Sequence, residues 1–435
     1  MSNSRSKGMI YDSGHSFNRD HILGLDALRT LAIVGVTLFH IFPDVVKGGY
    51  LGVSLFFVLT GYLLAFTSKK EWQAKSFSLV NYYLKRIKRI YPSLLIVIFT
   101  TLGIYHFFAT DAITGIRAEV ISIVLGYNNW WQIAQNADYF TRITNASPFT
   151  HLWFMGIELQ YYLVWPIIFL VYILIVKIRG KYDDGVIAIA LLGIAASILM
   201  PLLYHEGADI TRLYYGTDTR VYALFFGAAM GLYNKNERNI TTRRGGHGIF
   251  KCGLFVFLLI GVITAYYLMD GQDAFVYQGG MLLATVGFCV LLSIVADRGM
   301  NIGIYLDTAI FRWIGKKSYG IFLWQYPVIY LFNYKGWNKY PLYEVIEIAA
   351  IVLLAIWSDA VAKFILKQKL PYIGRRFVII QCVVFMVITV SGVSLMGYGC
   401  EEIVASAFSR DVDTKLQDKL AENKADMQEQ NGLSS

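Results

Sequence analysis

The sequence predicts an all-α, polytopic membrane protein with about eleven transmembrane helices around a polar central cavity. Of its 435 residues, 56% are hydrophobic and 15% are aromatic, and the mean hydropathy of +0.49 lies outside the usual range of a soluble domain. The apolar residues are gathered into runs of about 20, the length that crosses a bilayer as a helix. The basic residues are distributed unevenly among the loops between these runs.

Eleven apolar segments have the length and composition of a spanning helix. Two of them, 219–233 and 319–333, are short and are expected to extend into their flanks. The run 117–127 is expected to form a partial or re-entrant helix on the extracytoplasmic side. The eleven segments are 23–42, 50–68, 90–110, 151–176, 186–204, 219–233, 252–269, 280–296, 319–333, 343–362 and 377–397.

Lysine and arginine indicate the orientation of the chain, because cytoplasmic loops normally carry the excess of these residues. If the N-terminus is cytoplasmic, the cytoplasmic segments contain 27 of the 39 Lys and Arg residues, and the external loops contain seven. The net charge of +9 is then a signal of topology, and we expect no nucleic-acid partner. An odd number of spans places the C-terminus outside.

One domain is expected to fill the plasma membrane, because no repeat of fixed period occurs and the composition changes only near residue 398. We predict a cytoplasmic N-terminal segment over 1–22, a membrane domain over 23–397, and an extracytoplasmic polar tail or linker over 398–435. The sequence lacks the Cys and His spacings of a metal site, so we expect no metal.

The first apolar segment contains an arginine and a histidine eleven residues apart, Arg29 and His40. On an α-helix this spacing places both residues on one face, about 16 Å apart along the axis. Ionisable groups inside a span normally face a cavity or a partner, so both are functional candidates. Two alternatives stay open: Arg29 extends to the inner headgroups, and His40 is a core histidine with its polar atoms satisfied.

A carboxylate lies inside another predicted span, at Glu158, and His151 shares its predicted helix face. Glu158 lies about 10 Å from the external end of the span, a position that is costly unless the carboxylate is protonated or paired. His40 lies at a similar depth, so we predict a His40–Glu158 pair that acts in general acid–base chemistry. The alternative is two unrelated polar groups, each satisfied elsewhere.

Further polar residues lie in or beside predicted spans. Asp218 and Arg220 lie at the edge of one span, where they are expected to pair with each other or to orient a substrate. Gln325 and Tyr326 precede Pro327 midway along another span, and polar groups beside a helix-breaking proline usually line a cavity. With His151, these residues are the predicted cavity-lining or substrate-contacting set.

A basic cluster lies at the cytoplasmic end of the third predicted span. Lys85, Arg86, Lys88 and Arg89 follow one another closely there. The positive-inside rule explains this cluster adequately, but it would also suit an anionic cofactor such as a nucleotide diphosphate. A basic cytoplasmic mouth, a polar axis and a His–Glu candidate near the outer face together suggest chemistry conducted across the bilayer.

Six segments, in order, resemble acyltransferase family 3, the integral-membrane acyltransferases that O-acetylate bacterial cell-envelope glycans. The resemblance covers residues from about 21 to 397. Each motif alone is weak, but six in the expected order are specific. They are "GLDALRTLAIVGVTLFH", "GVSLFFVLTGYLL", "KRIKRIYP", "HLWFMGIELQYYLVWP", "TDTRVYALFFGA" and "SYGIFLWQYPV".

This resemblance implies acetyl-CoA as the donor on the cytoplasmic side. It implies that His40 and Glu158 act in acetyl transfer, and that Arg29, Arg86 and Arg89 lie near the CoA end. The glutamine at position 325 makes the sequence resemble the Gram-positive peptidoglycan O-acetyltransferase type, which often has glutamine at this position. Many other members of the family have histidine there. That type usually continues into an external SGNH esterase-like domain, but no Gly-Asp-Ser-type motif follows the last predicted span here. We therefore expect a longer parent protein, a separate SGNH-type partner, or direct transfer to the glycan.

The leading hypothesis is a membrane O-acetyltransferase that moves acetyl from cytoplasmic acetyl-CoA to a hydroxyl of an external envelope glycan, with peptidoglycan favoured. His40 would be the base or the acetyl carrier, and Glu158 would orient it. One alternative is a transporter or flippase for a glycan or lipid-linked sugar. Others are transfer of another acyl group such as succinyl, and a sensor or scaffold that works through the tail.

Overall fold

The computed structural model describes residues 22–135, 147–207, 209–233, 248–297 and 301–366. None of these residues is in a β-strand, so the all-α prediction is confirmed. The α-helices of the described residues are α1 (Leu25–Ile41), α2 (Leu51–Gln73), α3 (Leu79–Phe108), α4 (Arg117–Leu125), α5 (Asn128–Ala134), α6 (Trp153–Arg179), α7 (Tyr182–Leu203), α8 (Thr211–Tyr215), α9 (Thr217–Arg220), α10 (Tyr222–Tyr233), α11 (Gly248–Leu268), α12 (Met281–Val295), α13 (Ile302–Leu306), α14 (Ala309–Tyr334) and α15 (Tyr343–Ile365).

Ten of the eleven predicted spans coincide with a helix. In the described part of the chain, seven helices are long and apolar enough to cross a membrane. Two of them, α6 and α12, are each extended at the N-terminal end by a short helical turn. The seven are α2, α3, α6, α7, α11, α12 and α15. Of the other three, α1 has 17 residues and α10 has 12, and α14 extends over 26 residues with a basic first half. The predicted span 377–397, the N-terminal residues 1–21 and the tail 398–435 lie outside the described residues.

The run 117–127 forms the 9-residue helix α4, and the 7-residue helix α5 follows directly after it; both are too short to cross a bilayer. α4 ends at Gly126, where φ is 78°, a left-handed conformation that glycine adopts without strain. The Gln160 side chain of α6 donates to the Gly126 carbonyl at 2.9 Å, and the Asn128 amide donates to Ser122 Oγ at 2.9 Å. These bonds satisfy polar groups at the break and attach the short helices to α6.

Glycines let α2 and α10 approach until their backbones touch. A Cβ added to Gly61 would meet the Leu224 carbonyl, and one added to Gly227 would meet the Val58 carbonyl. Small residues at such a crossing replace side-chain packing with close backbone contact, as is common between membrane helices. This contact fixes α2, and α2 carries much of the site described below.

We expect Gly61→Ala to destabilise the protein by about 1–3 kcal/mol, because the new methyl group overpacks the α2–α10 crossing. Gly253→Ala in α11 is the matched control, since nothing lies within 4 Å of a Cβ added at Gly253. Equilibrium unfolding in mixed detergent micelles measures both variants. Equal stability of the two variants would contradict the proposed role of this crossing.

Candidate active site

A cavity of about 360 Å³ lies among α1, α2, α3, α6 and α14. One part of its wall is basic, a second part is polar around Glu158, and a third part is aromatic. The α2 residues in the wall recur every three or four positions, which places them on one helical face. They are Phe56, Leu59, Thr60, Leu63, Leu64, Thr67 and Glu71.

Two of the cations in the basic wall have acidic partners. Arg29 of α1 is bonded to Asp26 at 2.6 Å, and the Asp26 side chain is buried. Lys85 is bonded to Glu71 at 2.6 Å. A charge in an apolar setting is costly without a partner, so these two pairs are locally compensated.

Arg86 and Arg89 are the other two cations of this wall, and both lie on α3 one turn apart. Arg86 lies over the Tyr82 ring, 3.8 Å from its centroid, and donates to the Tyr82 carbonyl at 2.9 Å. Neither arginine forms an ion pair with an acidic side chain of the described residues. The structure thus places Arg29, Arg86 and Arg89 around one cavity, and of the three only Arg29 is in an ion pair within the described residues.

Glu158 of α6 lies in the same wall and is buried. Its Oε1 atom accepts hydrogen bonds from the Thr60 hydroxyl at 2.8 Å and from the Tyr162 hydroxyl at 2.8 Å. Thr60 and Tyr162 also line the cavity. The carboxylate is therefore held by two hydroxyl donors, Thr60 from α2 and Tyr162 from the next turn of α6.

His40 lies in a separate polar cluster near the end of α1. Its side chain hydrogen-bonds that of Gln325 in α14, and Gln325 Oε1 accepts from the Thr37 hydroxyl at 2.9 Å. The Tyr326 ring meets the His40 ring edge-on at 5.2 Å, and it stacks on the His151 ring at 5.4 Å. His40, His151, Gln325 and Tyr326 are thus brought together.

Pro327 explains why α14 can hold this cluster. Proline has no N–H, so the Leu323 carbonyl, four residues earlier, has no donor within the helix. The His151 ring faces the carbonyls of Leu323 and Phe322, and the Tyr105 hydroxyl donates to the Pro327 carbonyl at 2.6 Å. The His151 side chain, from the turn before α6, thus contacts the carbonyl that the proline leaves without a donor, and Tyr105 of α3 bonds the carbonyl of the proline itself.

The structure does not bring His40 and Glu158 together as the predicted pair. Each belongs to its own network, and Phe322 lies where the two regions meet, since it lines the cavity and its ring packs 5.2 Å from His151. The shared helix face fails because His151 lies in a 3-10 turn before Trp153, where α6 begins, and a 3-10 turn rotates side chains by a different angle per residue.

The family model described as an acyltransferase domain matches residues 22–362, more than half of the sequence. The chain belongs to acyltransferase family 3. This membership confirms the resemblance drawn from the six motifs and makes the protein a membrane acyltransferase.

Relatives within this family carry names that state a substrate. The chain is 30% identical over 317 residues to the peptidoglycan O-acetyltransferase OatA of Listeria monocytogenes, covering 72% of this chain and 50% of OatA. It is 27% identical over 395 residues to the O-acetyltransferase OatA of Staphylococcus aureus strain MRSA252, covering 86% of this chain and 63% of that protein. It is also 32% identical over 315 residues to YrhL of Bacillus subtilis, covering 72% of this chain and 49% of YrhL. The chain thus spans half to two thirds of these relatives' length, and no solved structure matches it.

The expected Asp218–Arg220 pair does not form in this acyltransferase. Asp218 is instead bonded by both terminal nitrogens of Arg212, at 2.9 and 2.7 Å. A planar guanidinium fits a carboxylate with two parallel bonds, so Arg212 is the better partner. Burial alone would raise the pKa of Asp218, but the bonds from Arg212 hold it below its ordinary value.

Arg220 is buried among neutral groups. Its guanidinium lies 5.1 Å from the Tyr214 ring centroid and 5.7 Å from that of Trp153. It also donates to Ser54 Oγ at 3.4 Å and contacts Met281 Sδ. Cation–π contacts can compensate a desolvated arginine. Neither Arg220 nor Asp218 is in the cavity wall, and the same holds for His151, Gln325 and Tyr326.

Within the described residues, sequence reasoning missed three buried carboxyl groups, Asp26, Glu119 and Glu347, of which Glu119 of α4 lies outside the predicted spans. It is 1% exposed and accepts a bond from Gln132 Nε2 at 3.1 Å. Burial raises the pKa of Glu119 from 4.5 to about 7, although bonds from Ser147 and Gln132 oppose this rise. A carboxylate between apolar residues in a segment already predicted to be re-entrant was the signal that could have identified it.

We expect Glu119 to make wild-type stability depend on pH. Because its folded pKa is raised, the contribution of Glu119 to stability is complete below about pH 4.5 and is lost as the pH rises through about 7. Glu119→Gln stays neutral, so its stability relative to wild type should increase by about 3 kcal/mol between pH 4.5 and pH 8. Unfolding in detergent across this range measures the change. The exposed Glu206→Gln is the control, and an equal pH response of both variants would contradict the prediction.

Proposed function

We propose that this acyltransferase moves an acetyl group from cytoplasmic acetyl-CoA through the membrane to a hydroxyl of an extracellular envelope glycan, with peptidoglycan as the favoured acceptor. The observation that carries this proposal is a cavity whose wall contains both cations and apolar rings. Arg86 and Arg89, which form no ion pair with an acidic side chain of the described residues, lie in this wall together with Glu158 and three phenyl rings.

The residues of the cavity fit an acyl-CoA. Arginine binds phosphate through paired N–H donors, and such charge-assisted bonds are strong in an apolar setting. A volume of about 360 Å³ is at the lower end of the range for small-molecule sites. A cavity of this volume suits the thioester arm of acetyl-CoA, and the basic residues in its wall suit the anionic nucleotide.

The orientation of the donor site follows from the charge distribution. Arg86 and Arg89 belong to the Lys- and Arg-rich side of the chain, which the positive-inside rule places in the cytoplasm. His40 lies at the opposite end of α1, toward the predicted exterior. Acetyl transfer from the cavity to the His40 cluster would then be transfer across the membrane.

The acceptor is proposed from the names of the relatives, which refer to peptidoglycan O-acetylation. Because this chain covers only part of those relatives, the transfer beyond the membrane domain has two possible recipients. One is the glycan hydroxyl itself, and the other is an SGNH-type protein that passes the acetyl group on.

His40 and Glu158 divide the chemistry in this proposal. Glu158, held by Thr60 and Tyr162, orients the thioester in the cavity. If His40 carries the acetyl group, its imidazole nitrogen attacks the thioester carbonyl, the carbon–sulfur bond breaks, and the thiol leaves with the ring proton. The acceptor hydroxyl then attacks the acetyl carbon, the carbon–nitrogen bond breaks, and the hydroxyl proton returns to the ring.

If His40 is instead a general base, it accepts the proton of the acceptor hydroxyl and passes it to the departing thiolate.

Arg89→Ala should raise KM for acetyl-CoA about 10- to 100-fold with a smaller change in kcat, because it removes a charged donor to phosphate. Lys88→Ala removes the same charge from the neighbouring position, which is outside the cavity wall. Initial rates with the purified full chain in proteoliposomes measure both variants. A similar KM for the two variants would show that net charge, and not the cavity, binds the donor.

His40→Ala should lower acetyl transfer at least about 100-fold, the scale of a lost acid–base or nucleophilic group. The assay is acetate released by mild alkali from the cell wall of an expressing strain, at matched protein level. His205→Ala is the control, because His205 is exposed. Wild-type acetate in the His40→Ala strain would refute the assignment of His40.

A further inference from the structure

Two phenyl rings line the cavity at the Phe56 end of α2, since Phe154 packs 6.3 Å from Phe56, whereas Glu71, which is bonded to Lys85, lies about four turns further along that helix. We call Phe154 of α6 and Phe322 of α14 the aromatic wall. Their ring centroids are 5.2 Å apart, with planes inclined at 60°. Both rings line the cavity together with Phe56 and Glu158.

The aromatic wall is packed from behind, so its rings have little room to retreat. Phe154 stacks on the fully buried Phe57 at 4.7 Å and 25°. Phe322 packs against His151 at 5.2 Å, and His151 in turn stacks on Tyr326. Displacing either ring would therefore disturb tightly packed neighbours, which is costly in a protein interior.

The charges of the cavity give a bound acyl-CoA one direction. Its phosphates are attracted to Arg86 and Arg89, whereas Glu158, bonded to Thr60 about one turn along α2 from Phe56, repels them from the aromatic wall. The acyl group therefore points toward the aromatic wall. We propose that Phe154 and Phe322 determine acyl specificity, and that they restrict the enzyme to short, uncharged acyl groups such as acetyl. This inference rests on the proposed function of the cavity as the donor site.

The same geometry argues against succinyl, the alternative that the sequence left open. A succinyl carboxylate would lie against apolar rings and near the Glu158 carboxylate, so it would lose its hydration and meet a like charge. A longer alkyl chain meets a different obstacle, because each added methylene group needs volume that the wall occupies.

The test measures specificity with the purified full chain in proteoliposomes. Acetyl-CoA, propionyl-CoA and butyryl-CoA serve as donors, and kcat/KM is determined for each with wild type, Phe154→Ala and Phe322→Ala. We expect the butyryl-to-acetyl ratio of kcat/KM to rise about tenfold in both variants, the change that burial of two methylene groups can supply. Phe66→Ala is the control, since Phe66 lies on α2 outside the cavity wall, and its ratio should stay at the wild-type value.

Phe322→Leu is measured as well, so that the proposal can still be tested if Phe322→Ala does not fold. Leucine removes the ring but retains an apolar side chain. The ratio of this variant should lie between those of wild type and Phe322→Ala. Variants that lose acetyl transfer with an unchanged ratio would overturn the inference and leave the wall a structural role. Equal use of acetyl-CoA and butyryl-CoA by wild type would overturn the inference alone, whereas a wild type that transfers no acetyl group would overturn the proposed function as well.

Discussion

The constraint on which this structure depends is the cost of an ionisable side chain in an apolar environment. Most of the buried charged groups described here meet that cost with a specific partner. The Glu158 carboxylate accepts two hydroxyl bonds, Arg29 is bonded to Asp26, and Arg220 lies over aromatic rings. Arg86 and Arg89 are less buried and share a cavity wall, where neither forms an ion pair with an acidic side chain of the described residues, although Arg86 lies over the Tyr82 ring. An anionic ligand in the cavity would give both arginines a partner of opposite charge.

Helix α2 connects this electrostatic requirement to the packing of the bundle. One of its faces uses Gly61 to meet the backbone of α10, and another supplies Thr60 to Glu158 and Phe56 to the cavity. Since the two faces belong to one rigid helix, the position of the Thr60 hydroxyl is set by the close approach at Gly61. A substitution remote from the cavity can therefore misplace a cavity residue, which is why stability and activity are coupled along α2.

The sequence allowed the helices and the family to be predicted, because both depend on local properties: runs of apolar residues and motifs in a fixed order. The family resemblance also implied that Arg29, Arg86 and Arg89 lie near one donor; the three residues do line one cavity, and their role in binding stays a prediction. The partners of His40 and Glu158 could not be predicted, because they depend on the rotation of α6 after the 3-10 turn Thr150–Leu152 and on the Leu323 carbonyl that Pro327 leaves without a donor. Equal depth in a membrane is a condition for contact, but two side chains at one depth can still face different helices.

On the proposed function, in which acetyl crosses the membrane, the separation of Glu158 from His40 would also have a physical use. A continuous polar path from the basic mouth to the His40 cluster would hold water, and an apolar constriction excludes water from such a path. The rings of Phe154 and Phe322 form that constriction between the two polar networks. A small neutral acyl group loses less hydration at such a constriction than a phosphate or an ion, because it carries no charge that must be desolvated. On the proposed function, selectivity for the transferred group and exclusion of water would both follow from the same two side chains.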